Sequence, residues 1–133
     1  MAGPPAATQD HRVVAVDIHI VLVPSPGGPV PTPLPHPFSG ALDGALATTV
    51  KIGGKPAAVV GSTASNQPAH VPTPPGTSFQ VPPANRATVQ LGSTTVRITG
   101  KGAARAGDPC LTCNDPADAP VGRIVAAGTV LIG

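Results

Sequence analysis

Residues 50–61 read VKIGGKPAAVVG and residues 96–107 read VRITGKGAARAG, sharing the valine, isoleucine, glycine, lysine, two alanines and final glycine. Each segment has the pattern of a glycine-rich β-hairpin: alternating Val and Ile in a short strand, a tight turn at Gly53-Gly54 or Thr99-Gly100, then a return strand of small residues. A third copy is cut short, because GTVLIG at 128–133 echoes GSTTVRITG at 92–100 and stops where the lysine and alanines would follow. Hairpins this short cannot bury a face singly, so three of them are expected to pack around a shared axis. The gradation from Val and Ile to Ala and Gly lets packed strands converge. The expected fold is all-β, a small conical pseudo-threefold stack of short hairpins with Lys51 and Arg97 facing outward.

Outward from the repeats, Val13 to Val23 (VVAVDIHIVLV) is a strand, with Val16, Ile18, Ile20 and Leu22 on one face and Asp17 and His19 on the other. It gives way to PSPGGPVPTPLPHPF, whose prolines lack the amide donor that a sheet interior needs and favour extended or turning backbone. A weaker echo links VPTPLPHPF from Val30 to VPTPPGTSF from Val71. Helix is nearly excluded, with at most one turn expected between Gly40 and Thr49. Residues 1–12 are read as a flexible N-terminal tail, small and polar at its start, and 13–133 as a single domain.

The 133 residues suit one folding unit. Pro and Gly number 19 and 16, a share that in an aperiodic chain suggests disorder. Against disorder, the chain is 41% hydrophobic and only 11% charged, so it has apolar surface to bury. Its two Phe and the absence of Trp and Tyr leave Val, Ile, Leu and Ala to fill thin layers. A formal net charge of +2 with scattered basic residues gives no nucleic-acid footprint, and there are no stacking aromatics for single strands. The N-terminus has no secretion signal pattern and no apolar run reaches membrane-spanning length, so the expected location is the cytoplasm unless a dedicated machine exports the chain. Two cysteines make no disulfide framework.

GKPAAVVG and GKGAARAGDPC resemble the proline-alanine-alanine-arginine repeat of PAAR proteins. The Ala103-Ala104-Arg105 copy with Gly107-Asp108 fits well; the earlier copy has Val59 for the arginine and Ser62 for the aspartate. The resemblance spans roughly 13–133, and the PVPTPLPHPFSG stretch is similar to the PAAR-like tip proteins of contractile injection particles. It implies a cone whose wide base sits on the blunt end of a trimeric VgrG-like spike and whose apex holds structural zinc through histidines and a cysteine.

The residues support such a site independently. Zinc prefers four nitrogen and sulfur ligands in a tetrahedron. His36 lies between two prolines and His70 just precedes Val71-Pro72, so each sits on stiff backbone at a turn between repeats, and Cys113 falls at the comparable place after the second full repeat. His19 stands alone in its apolar strand. The expected ligands are His19, His36, His70 and Cys113. A lone strand histidine is as often a satisfied core or surface group. Cys110 competes with Cys113, either replacing it or joining it on one zinc. A redox pair is disfavoured, since Asn114-Asp115-Pro116 follows rather than a helix. His11 is assigned to solvent.

No acid pairs with a Ser or His in a catalytic spacing, and GGK at 53–55 lacks the rest of a phosphate loop. The expected function is mechanical: a non-enzymatic spike tip for membrane puncture, with effectors as separate, non-covalent partners because the chain stops inside the third repeat. The rivals are an enzyme or toxin, and a generic β-rich binding or cargo-carrier module or surface adhesin.

Overall fold

In the computed structural model, which describes residues 3–133, the chain forms eleven strands and no helix among the described residues. These are β1 (Arg12–Val23), β2 (Val30–Gly44), β3 (Ala47–Ile52), β4 (Lys55–Ala57), β5 (Thr63–Asn66), β6 (Ser78–Phe79), β7 (Arg86–Val89), β8 (Arg97–Ile98), β9 (Lys101–Gly102), β10 (Pro109–Thr112) and β11 (Ala119–Val125). The fold is all-β, as expected. The single helical turn allowed between Gly40 and Thr49 is instead the end of β2 and the start of β3.

The two repeats are the hairpins β3–β4 and β8–β9. Their turns need positive φ at both central residues, which glycine supplies most easily. Gly53 and Gly54 have φ of 62° and 84°, and Thr99 and Gly100 of 54° and 81°.

The third copy is completed by the other end of the chain. Residues 3–11 read GPPAATQDH and lie against the C-terminal residues, with Pro5 bridged to Leu131 and the Ile132 amide donating to the Pro4 carbonyl at 3.0 Å. Ala6 and Ala7 thereby take the places of Ala57 and Ala58 and of Ala103 and Ala104. Backbone hydrogen bonds close a ring through the three copies: the Ala7 amide donates to Ala104 at 2.9 Å, Ala104 to Ala58 at 3.0 Å and Ala58 to Ala7 at 2.9 Å. A second ring runs from Gln9 to Pro56, from Val60 to Gly102 and from Ala106 to Pro5. Even the turn that follows is repeated, with positive φ at Asp10, Gly61 and Gly107. The side chains of His11, Ser62 and Asp108 accept the amides of Thr8, Val59 and Arg105 in turn.

The flexible tail expected for residues 1–12 is therefore corrected over its described part: Ala6, Ala7 and Thr8 are 4%, 1% and 5% exposed. Met1 and Ala2 lie outside the described residues. Only side chains as small as alanine fit where three backbones meet, which is why a plain PAAT segment is held there.

Strands β1, β2, β5, β7, β10 and β11 pair in that order and β11 returns to β1, closing a six-stranded sheet on itself, while β6 adds to the far half of β1. Over the stretch where the sheet closes, no edge is left open. Inside lie Val13, Phe38, Leu42, Ala64, Ala87, Val89, Cys110 and Ile124; a second cluster of Val59, Ile98, Ile132 and Ala47 lies under the hairpins. The alanines converge between these two clusters.

Two features refine the sequence reading. The proline-rich run does not end the sheet but forms most of the 15-residue β2. Its prolines at 31, 33, 35 and 37 recur at every second position, so their missing donors all fall on one side of the strand. The neighbour on that side, β5, pairs with β2 only from Gly40 onward. Strand β1 also turns its polar face inward: Asp17 and His19 are 0% and 1% exposed, whereas Val14, Val16 and Ile18 are 39%, 59% and 40% exposed.

Candidate metal centre

Six residues beyond Val13, roughly 20 Å along an extended strand, the interior of the closed sheet changes from apolar to polar. Asp17 and His19 are two apart on β1 and so share its inner face. The register sets Asp17 opposite His36 of β2. His70 comes from the segment after β5 and Cys113 from the residue after β10. All five are buried, with exposures of 9% or less.

Asp17, His19, His70 and Cys113 bring one possible ligand atom each to within 4.8 Å of one another. His36 adjoins them: its ring centre is 5.4 Å from that of His19 and 5.6 Å from that of His70. Its Nδ1 donates to the Leu34 carbonyl at 2.9 Å, which leaves Nε2 as an acceptor, and Nε2 takes the Thr73 amide at 3.1 Å. Phe79 of β6 covers the group, 5.8 Å from the His19 ring and 5.3 Å from that of His36.

Asp17 is the hub. One carboxylate oxygen accepts from the Thr112 hydroxyl at 2.5 Å and the Asn114 amide at 3.2 Å; the other accepts from His70 Nε2 at 3.0 Å and the Cys113 thiol at 3.5 Å. Asn66 and Asn85 fix His70 from behind, through its Nδ1 at 3.2 Å and its backbone amide at 2.8 Å. The sequence reading placed Asp17 on the face of His19 but gave it no role. Their shared parity on β1 was the available signal.

His19 is the exception to this pairing. Both its ring nitrogens are buried with no hydrogen-bond partner, and its approach to the Asp115 carboxylate, 3.6 Å from Nδ1, is too long for one. A buried polar atom without a partner costs about 1–3 kcal/mol, so an orphaned imidazole surrounded by nitrogen, sulfur and carboxylate donors is a place for a cation. Burial lowers the pKa of His19 and of His36, which favours neutral rings with one unprotonated nitrogen each. Burial also raises the Cys113 thiol to about 11, with the Asp17 charge adding to it; a bound metal would reverse this by taking the thiolate. This buried group of two histidines, an aspartate and a cysteine could hold a metal ion.

The other candidates lie elsewhere. Cys110 faces the apolar core, 0% exposed, with its thiol 3.8 Å from the Asp108 carbonyl and raised by burial to about 12. His11 is not left to solvent but caps the Thr8 turn, accepting the Thr8 amide at 3.0 Å.

A family model, PAAR motif, matches residues 22–116. No curated protein and no solved structure matches the chain.

Proposed function

The chain belongs to the PAAR-motif family, the spike-tip type of protein of contractile injection systems, and on that premise we propose that it caps a trimeric VgrG-like spike and sharpens it for membrane puncture. The observation that carries the proposal is the closed ring of hydrogen bonds through Ala7, Ala104 and Ala58, which makes the hairpin end threefold in its backbone and so matched to three identical chains. The role is mechanical, not enzymatic. Assembly takes place in the cytoplasm, and export follows with the particle. Nucleic acid has no place in it.

We assign the metal as zinc, because imidazole and thiolate in a closed set are its preferred structural ligands. Its bound form would act as a crosslink between four segments that converge where little apolar core is left. Of the five candidates, His19, His70 and Cys113 are common to every reading, and His36 takes the fourth place ahead of Asp17. His36 anchors Nδ1 on a carbonyl, the arrangement that fixes a ligating tautomer, and its Nε2 lone pair meets only a backbone amide. Asp17 is held instead by two groups outside the ligand set, accepting the Thr112 hydroxyl and the Asn114 amide, and so flanks the site as a neighbouring negative charge.

The expected results are one zinc per chain by elemental analysis and a melting temperature lowered by roughly 10 °C or more on chelation. His36→Ala loses the zinc, while Asp17→Asn keeps it with an affinity weakened about 10- to 100-fold. Zinc retained by His36→Ala and lost by Asp17→Asn would reverse the assignment. Co-elution with the purified trimeric spike tests the capping role.

A further inference from the structure

The hairpin end is threefold in backbone but not in charge. Counting back from Ala57, Ala103 and Ala6, corresponding outer positions hold Lys51 and Lys55 in β3–β4, Arg97 and Lys101 in β8–β9, and Leu131 and Pro4 in the unit made from the two chain ends. All four cations are exposed. They are half of the chain's eight basic residues, and no acid occurs between Gly44 and Gly107. Lys55 lies 3.3 Å from the Asp10 carboxylate, an exposed pair worth little. Among the described residues, Lys51, Arg97 and Lys101 have no carboxylate within ion-pair distance. The third facet is apolar, with Val130 and Leu131 46% and 47% exposed.

Resting on the spike-cap reading, we infer that this end docks on an acidic protein surface whose three identical patches each combine carboxylates with an apolar spot. The combination follows from symmetry. A trimer presents the same patch three times, while this base offers two cationic facets and one apolar facet, so each patch must accept either kind. Nucleic acid is a poor occupant, because both phenylalanines lie in or above the closed sheet and the base has no ring on which a nucleotide base could stack.

The test is a titration of the zinc-loaded chain against a purified trimeric VgrG-like spike protein, at low and at physiological salt. The variant Lys51→Glu/Lys55→Glu/Arg97→Glu/Lys101→Glu is run in parallel, its folding checked by zinc content. The unaltered chain should weaken about tenfold or more as salt rises, and the reversed variant should bind at least about tenfold more weakly at low salt. If the variant does not fold, the salt series of the unaltered chain decides alone. A complex of equal affinity at both salts, unaffected by charge reversal, overturns the acidic surface and leaves the capping role standing. No complex at either salt overturns both.

Discussion

His19 shows how a residue can be read correctly as a strand member and still be surprising in place. Its strand alternates, and alternation ordinarily turns the apolar set inward; here Asp17 and His19 are inside and Val16 is out. The polar set goes in because the far half of the closed sheet is lined by other donors, from Thr112, Cys113, His36 and His70. The candidate ligands were visible because histidines beside prolines and a cysteine at a repeat boundary are stiffly held. Asp17 shares the parity of His19 on β1, but its partners lie 53 to 97 residues away, where no local pattern points to them. The buried rings carry a pH consequence. With folded pKa values below 6.5 for His19 and His36, the unfolded chain binds protons that the folded chain refuses. Stability of the metal-free protein is thus fully present above about pH 6.5 and falls as the pH drops through that value. Melting temperatures measured from about pH 8 to pH 5 should decline at the acid end; a level profile would contradict the neutral, buried state of these rings.

At the scale of elements, the turn chemistry of Gly53-Gly54 and Thr99-Gly100 declared two hairpins outright. Strand β2 was obscured because proline is normally an argument against a sheet, and only its strict alternation makes it harmless. The third unit was hidden because its two halves sit at opposite ends of the sequence, and its return strand carries Pro4 where the other copies carry lysine. Packing is tight where β2 meets β5: a Cβ added at Gly40 would stand 2.4 Å from the Ser65 carbonyl oxygen, which belongs to the backbone and cannot swing away. Gly40→Ala should therefore destabilise by about 1–3 kcal/mol, read as a lowered denaturation midpoint with zinc retained. An unchanged midpoint would mean that β2 and β5 separate without cost.

On the scale of the whole molecule, the chain is a threefold base of hairpins carrying a closed sheet whose far interior is polar and fit for a metal. The covalent break in one of three equivalent hairpins is not a structural requirement. A permuted chain, with Gly133 joined to Gly3 by a short glycine linker and new ends at Gly53-Gly54, should fold and bind zinc, since the new break falls in an exposed turn. Failure of that permutant to fold would show that the three units are not interchangeable. The most direct test of the account remains the intact mass of the complex formed with the trimeric spike. One chain per three spike chains is the predicted result, because a single base presents all three facets. A complex of three chains per trimer, or none at all, would contradict the account.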